Sequence, residues 1–556
     1  MNKPWLARYP EGMPAELGPV PYETLADLLN EAFRNFAGRP AFRLMGVDLT
    51  YSDLDRASTR FAAYLQGLGL QPGDRISLMM PNIFQYPVAV AGALRAGLVV
   101  VNTNPLYTPR ELAHQLNDSG ARAIVVLENM AHTLEQCRAE VPALEHVVVT
   151  SVGDMLPGLK GHLVNFVLRY VKRAVPAYRL PGAVRWRQAL SQGAGGRFMP
   201  IRRTAEEPAI LQYTGGTTGV AKGAVLTNRN IVSNVLQSEL WNRPATRLVP
   251  ASDQVVTVCA LPIYHIFGFT VNMMLSLRQG GCNLLIPNPR DIPAVIKTLK
   301  SGPFHLFPAV NTLFGAIARH KDAASVDWSH MVMSLGGGMA VQRATAEKWL
   351  ALTGKTICEG YGLSETSPSA ACNIVTSRDY TGTIGYPLPS TEFSILSDDE
   401  THLLPGEAGE IAIRGPQVMI GYWNRPEDTR RAFAPGGWFK SGDIGIMDET
   451  GAIRIVDRKK DMINVSGFNV YPNEIEDVVT RMPGVAEAAV VGVPDENSGE
   501  AVKLFLVRSD DGLSAEAVKQ YCRENLTGYK RPREIEFRDE LPKSGVGKVL
   551  RRALRD

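Results

Sequence analysis

The run from Tyr213 to Gly223, YTGGTTGVAKG, sets the first chemical expectation. It follows an apolar stretch, Ala209 to Tyr213, and gathers Gly215, Gly216 and Gly219 with Thr214, Thr217 and Thr218 ahead of Lys222. Glycines let backbone N–H groups close on an anion, hydroxyls donate to its oxygens, and a lysine adds a point charge, so the run reads as a polyphosphate cradle. It is not a Walker loop, in which the lysine follows a glycine directly and precedes Ser or Thr; here Lys222 sits between Ala221 and Gly223. Further along, Glu365 is a hard oxygen donor suited to Mg²⁺, although Ser364 to Ser367 could also cap a helix. Asp443 and Arg458 taken alone read as a surface ion pair, and Lys548 beside Arg551 and Arg552 as a solvated basic tail.

Taken together, the motifs change those readings. YTGGTTGVAKG, Gly336-Gly337-Gly338, Tyr361-Gly362-Leu363-Ser364-Glu365-Thr366, Gly437 to Asp443, Asp457-Arg458-Lys459-Lys460-Asp461 and Pro542 to Lys548 occur in one order along the chain. In content and order they resemble the adenylate-forming superfamily, which comprises acyl-CoA synthetases, luciferases and peptide-synthetase adenylation domains. Trp438 to Ile463 also resembles the signature of its fatty acyl-CoA synthetases.

The resemblance implies ATP-dependent activation of a long- or medium-chain fatty acid: an acyl-adenylate forms with release of pyrophosphate, and coenzyme A then displaces AMP. Both steps concentrate negative charge at phosphorus or at an acyl oxygen, which is what preorganised donors and cations stabilise. It implies that Tyr213, Thr214, Gly215, Gly216, Thr217, Thr218, Gly219 and Lys222 hold the phosphates, that Thr218 and Glu365 serve Mg²⁺, and that Thr366 donates to the α-phosphate. Tyr361 would stack on adenine with Gly337, Gly338 and Gly362 allowing close approach, while Asp443 and Arg458 would bind the ribose. Lys548 would contact the carboxylate and α-phosphate during adenylation, Lys460 would be the hinge, and Ser466 and Gly467 would line the pantetheine tunnel. For the acyl group it points to His265 beside the carboxylate, Phe269 as gate, and Val310, Asn311 and Phe314 as lining. No aspartate follows Tyr264 or His265, where amino-acid-activating members place one, which argues against an amino-acid substrate.

These residues need a scaffold of matching size. A chain of 556 residues exceeds what a single core supports, so a large body and a further domain are expected. Apolar runs at Arg75 to Met80, Leu98 to Val101 and Ala123 to Leu127 alternate with helical patterns, one opening at Thr108-Pro109 and stopping near Gly120. That rhythm argues for α/β architecture with doubly wound parallel sheets. Short β-rich pieces between Gly385 and Met447 read as a small β subdomain, and a compact α+β run follows Arg458-Lys459-Lys460-Asp461. The expected division is an N-terminal adenylation domain over residues 1–459 and a mobile C-terminal lid over 460–556.

Composition excludes several alternatives. With 45% hydrophobic and 21% charged residues and a net charge of +3, nothing calls for a nucleic-acid partner or for disorder. The six cysteines show no metal spacing and point to a reducing compartment, and the N-terminus lacks a signal-peptide core, so a cytoplasmic protein is expected. Residues 155–190 stand apart: they carry Lys160, Arg169, Lys172, Arg173, Arg179, Arg185 and Arg187 among large apolar side chains. Two readings stay open for this segment, a basic insertion packed on its own domain and peripheral contact with the inner membrane. A homodimer is the commonest assembly for such a chain, and the sequence does not choose it over a monomer.

Overall fold

A computed structural model of the chain describes residues 3–214, 221–465, 468–495, 498–545 and 547–555. Among these residues the strands form four sheets. Two are the doubly wound layers expected from the alternating pattern, and they account for most of residues 20–387.

The first large sheet runs, in spatial order, Gly421–Tyr422, Lys222–Thr227, Pro208–Thr214, Val99–Asn102, Arg75–Met79, Ala121–Leu127, His146–Thr150 and Val184–Arg185. From Pro208–Thr214 to Val184–Arg185 every pairing is parallel. Such strands are buried on both faces, which is why Val99–Asn102 is apolar without alternation. The crossover helix Pro109–Ser119 begins at Thr108, whose side chain accepts from the backbone of Glu111 while Glu111 returns a 2.8 Å bond to the Thr108 N–H.

The second large sheet is ordered Tyr386–Pro387, Ser369–Cys372, Ile357–Gly362, Met333–Gly336, Leu306–Ala309, Val256–Cys259, Cys282–Leu285, Pro40–Leu44 and Val47–Thr50. Its interior from Ile357–Gly362 to Pro40–Leu44 is parallel and both edges are antiparallel. The helix Asn228–Thr246 and the first crossover helices lie in the core with it; Trp241, Phe269 and Phe42 are almost wholly inaccessible.

A third, antiparallel sheet is built from Glu392–Leu396, Ala408–Arg414, Trp438–Met447, Phe433–Ala434 and Ile453–Arg458. It is the expected β subdomain with shifted membership. Ile453–Arg458 extends it beyond Met447, whereas Tyr386–Pro387 and Gly421–Tyr422 inside the expected range pair with the two large sheets. Pairing partners that lie far away in sequence leave no local mark, so these assignments were invisible in the one-dimensional pattern.

The fourth sheet belongs to the smaller C-terminal domain: Phe468–Val470, Ile463–Val465, Gly499–Arg508, Val485–Asp495 and Glu534–Arg538, with helices Pro472–Val479 and Ala515–Asn525. It has its own core of Ile475, Val479, Val490, Leu504, Leu506 and Val518. No helix among the described residues is long and apolar enough to cross a membrane.

Candidate active site

The sequence motifs converge because they sit at the carboxyl ends of parallel strands, where open α/β sheets place their ligands. Gly337 and Gly338 follow Met333–Gly336, Tyr361 and Gly362 end Ile357–Gly362, Val310 and Asn311 follow Leu306–Ala309, and His265 follows Val256–Cys259. Gly338 has φ +77°, a conformation that a side chain resists, and its neighbour Gly337 could not carry a Cβ without meeting Phe267 at 2.9 Å. All of these residues line a single cavity of about 2100 Å³ together with residues from the β subdomain and the C-terminal domain.

Thr214 and Lys222 also line it, and they are cross-strand partners at the base of the hairpin formed by Pro208–Thr214 and Lys222–Thr227. Gly215, Gly216, Thr217, Thr218 and Gly219 lie outside the described residues, as do Ser466 and Gly467. Lys222 Nζ rests 2.7 Å from Asp428 Oδ1 and lies over the Tyr422 ring. Tyr213 lines the cavity too, but its hydroxyl donates to Asp118 Oδ2 at 2.8 Å, so its polar end ties the hairpin to the helix Pro109–Ser119.

Asp443 and Arg458 are register partners on adjacent antiparallel strands, which brings Arg458 Nε to 3.2 Å from Asp443 Oδ1. The other oxygen, Oδ2, accepts from the Tyr361 hydroxyl at 2.6 Å. A carboxylate oxygen has two acceptor sites, so this buried group keeps capacity for two sugar hydroxyls.

Glu365 lines the cavity and accepts from the Tyr422 hydroxyl at 2.8 Å; burial raises its pKa and the Tyr422 bond opposes that. Thr366 is placed differently from expectation. It is fully buried, does not line the cavity, and its hydroxyl donates to the carbonyl of Pro368 while accepting from the Leu363 N–H at 2.9 Å. A three-residue turn at Ser364–Thr366 leaves backbone groups to be satisfied, and the nearest hydroxyl takes that work.

The acyl assignments divide as well. His265, Val310 and Asn311 line the cavity. Phe269 and Phe314 do not: both are fully buried, Phe269 in the central core and Phe314 among Phe307 and Trp349. Of this segment Tyr264, His265, Phe267 and Val271 reach the cavity, while Phe269 packs into the central core. The Phe267 N–H donates to His265 Nδ1 at 3.3 Å, which makes Nε2 the protonated nitrogen of a neutral ring. Burial first, and Lys548 second, push its pKa down to about 4, so the ring is neutral at physiological pH.

Lys548 arrives on a loop from the C-terminal domain that is docked on the large body. Thr312 Oγ1 donates to the Gly547 carbonyl at 3.1 Å, and Arg290 Nη2 donates to the Ser544 carbonyl at 3.2 Å. Gly547 takes φ +82° in this turn, and the Ser544 N–H closes it by donating to the Lys548 carbonyl at 2.7 Å. Burial pushes the Lys548 ammonium pKa down to about 7, with Arg458, Arg551 and Lys460 acting in the same direction and Asp443 opposing them. The cation therefore sits among groups from the nine-stranded sheet, the β subdomain and its own domain at once.

Lys460 is exposed and lines the cavity between Ile453–Arg458 and Ile463–Val465. Next to it, Arg551 joins the two sides of this connection, bonding Asn473 Oδ1 at 2.5 Å, Glu476 at 2.9 Å and Asp461 at 3.4 Å, with Asp457 at 3.5 Å. Several residues here escaped the sequence reading. Glu359, whose pKa burial raises to about 8, accepts from the Val341 N–H at 3.0 Å in the cavity wall. Tyr422, Asp428 and Thr312 join it. Glu359, two residues ahead of Tyr361, and Thr312, next to Asn311, had a signal; Tyr422 and Asp428 are distant in sequence from what they touch.

A fold of two doubly wound layers with a β subdomain and a small C-terminal domain, closing on a cavity lined by Lys222, the Asp443–Arg458 pair and Lys548 from the second domain, is that of an adenylate-forming enzyme. Residues 29–423 match the family described as AMP-binding enzyme and residues 474–548 its C-terminal domain, and the chain belongs to that family. It is 53% identical to a long-chain-fatty-acid–CoA ligase of Escherichia coli O157:H7 over all of this chain and 98% of that one. A ligase of the same description from Haemophilus influenzae is 50% identical with the same coverage. Among solved structures, a benzoate CoA ligase from Burkholderia xenovorans superposes with a TM-score of 0.81 at 26% identity, covering 96% of this chain and 100% of that one.

Proposed function

We propose that this chain is a long-chain fatty acid:CoA ligase that forms an acyl-adenylate from ATP and then a thioester with coenzyme A. The observation that carries this reading is the docked Lys548: a partly desolvated cation, brought within electrostatic reach of His265 and Arg458 by a loop from the other domain, stands where a carboxylate and an α-phosphate would meet. In adenylate formation the fatty carboxylate attacks the α-phosphorus and pyrophosphate leaves. Lys548 offsets the charge that builds on the transferring group, and the neutral His265 donates from Nε2 to the carboxylate. Lys222 leaves Asp428 for the β- and γ-phosphates, Asp443 and Arg458 bind the ribose, and Tyr361 packs on adenine. Mg²⁺ suits this site, because it favours one or two carboxylates completed by phosphate oxygens and water, and Glu365 supplies one; bound there with ATP, it neutralises charge on the phosphates.

Thioester formation needs a different set of groups, and we assign the change to rotation of a lid, residues 460–556, against a body of residues 1–459, pivoting at Lys460. Support comes from the exposed position of Lys460 between two sheets that share no strand.

Peripheral membrane contact is the reading we favour for residues 155–190. The helix Gly158–Phe166, continuing to Val171, exposes Leu159, Leu163, Phe166 and Tyr170, a single stripe at helical spacing, with Leu159 86% exposed. Part of the basic set is used internally, since Arg169 and Arg185 pair with the buried Glu128 and Arg187 with Asp154. Lys172, Arg173 and Arg179, which follow the stripe in sequence, stay exposed. Apolar stripe and flanking cations together suit an anionic lipid surface.

The decisive experiment is ATP–pyrophosphate exchange and CoA-dependent AMP release with a panel of carboxylic acids. Fatty acids should stimulate both; stimulation by aryl acids alone, or acyl transfer to a carrier protein and not to CoA, would overturn the assignment.

A further inference from the structure

The cavity is larger than a nucleotide needs, since ligand sites are usually about 300–1,000 Å³, and part of its wall is apolar. Trp241, Phe267, Val271, Leu335, Cys372 and Leu388 line it without belonging to the phosphate, metal or ribose groups. They form a coherent arm. Phe267 and Val271 lie one turn apart on the segment that continues from His265, so the lining leads away from the carboxylate end, and Trp241, Val271, Leu335, Cys372 and Leu388 pack as one cluster.

Trp241 is held unusually firmly for a cavity wall. Its indole Nε1–H donates to the Asn373 carbonyl at 2.9 Å, and Tyr9 meets the ring edge-on, with centroids 5.2 Å apart and planes at 82°. Tyr9 does not line the cavity. It comes from the N-terminal segment, is itself fixed by a 2.6 Å bond from its hydroxyl to the Pro387 carbonyl, and packs with Met13 on the same cluster. That segment is fastened to the body by Lys3 to Glu392 at 2.8 Å, by the Leu17 N–H to Ser390 Oγ at 3.0 Å and by the Ser390 N–H to the Ala15 carbonyl at 2.8 Å. The indole thus lines the cavity and is packed as well by an N-terminal strap that stays off the cavity surface.

We infer that Trp241 is the end wall of the acyl arm and sets the longest fatty chain that is activated efficiently, with Tyr9 bracing it from behind. The inference rests on the fatty-acyl reading of the cavity. An indole fixed through both its N–H and its edge cannot swing aside without breaking a buried hydrogen bond, so chain length is limited by a built wall and not by loose packing. Phe269, fully buried and off the cavity surface, is not in a position to do this.

The test compares full-length wild type with Trp241→Ala, Trp241→Phe and Tyr9→Ala, measuring kcat/KM for adenylate formation from octanoic, dodecanoic, hexadecanoic and eicosanoic acids at saturating ATP. Trp241→Ala should raise the eicosanoic to dodecanoic ratio by about tenfold, the scale on which pocket contacts discriminate chain increments. Tyr9→Ala should move it in the same direction by less, and Trp241→Phe should stay near the wild-type profile. A uniform loss across all acids, or an unchanged ratio in both Trp241→Ala and Tyr9→Ala, would overturn the inference. Should Trp241→Ala fail to fold, the ratio in Tyr9→Ala decides. If wild type shows no fatty-acid-dependent exchange at all, the functional reading fails first, which separates the two outcomes.

Discussion

Thr312 donates its hydroxyl hydrogen to the carbonyl of Gly547 at 3.1 Å, joining the helix Asn311–Arg319 of the large body to the residue just before Lys548. This is a bond between two domains, and under the proposed lid rotation it would exist only with Lys548 in the cavity. Thr312→Val keeps the shape and removes the donor, and a neutral hydrogen bond contributes about 1 kcal/mol, close to a fivefold effect. Adenylate formation should slow by about that factor, while thioester formation from supplied acyl-adenylate stays within error of wild type. An equal loss in both half-reactions would show that the bond serves folding alone.

Lys548 itself should matter far more. Removing one preorganised donor from a developing oxyanion costs about 100- to 1,000-fold in kcat, and Lys548→Ala should lower pyrophosphate exchange by at least that much. Transfer from supplied adenylate to CoA should persist. Loss of both reactions together would mean that the loop is needed for something other than adenylation.

The same side chain predicts a pH signature. Its pKa is pushed down to about 7, so the cation is present below that pH in the free enzyme and is lost as pH rises through it. kcat/KM for ATP in the adenylation step reports the free enzyme, and it should decline above about pH 7. Lys548→Arg, whose guanidinium stays protonated, should flatten that decline even where its rate is lower. An identical profile in the two proteins would assign the titration elsewhere.

At the ribose, two substitutions separate charge from ring. Asp443 accepts from both Tyr361 and Arg458, and hydrogen bonds to charged groups are worth about 1.5–3 kcal/mol. Asp443→Ala should therefore weaken ATP binding by roughly tenfold or more, by calorimetry. Tyr361→Phe keeps the aromatic face and should cost only a few-fold. A larger loss from Tyr361→Phe than from Asp443→Ala would mean that the phenol, and not the carboxylate, holds the nucleotide.

Lys460→Pro tests the pivot. Proline fixes one backbone dihedral, and among the described residues the turn bonds around Arg458 and Asp461 are donated by Lys459, Asp461 and Met462 and none by Lys460, so the change removes none of them. The two half-reactions should separate, one retained and the other lost; equal retention of both would place the hinge elsewhere.

Much of this protein is written locally in its sequence. The helix Pro109–Ser119 follows from a capping threonine, a proline in the first turn and a glycine at its end, and the buried parallel strands from unbroken apolar runs, because those signals act within a few residues of themselves. The order and content of the motifs likewise fixed the class of chemistry and placed Gly337, Gly338, Tyr361, Glu365, Asp443, Arg458 and Lys548 around one cavity. Tertiary structure decided what depends on where distant segments meet. It turned Thr366 toward backbone carbonyls, sent Phe269 and Phe314 into the core, and put Trp241, backed by Tyr9, on the apolar wall. It also brought Thr312 to Gly547, because packing of two domains, and not any spacing along the chain, sets which side chains share a cavity with Lys548.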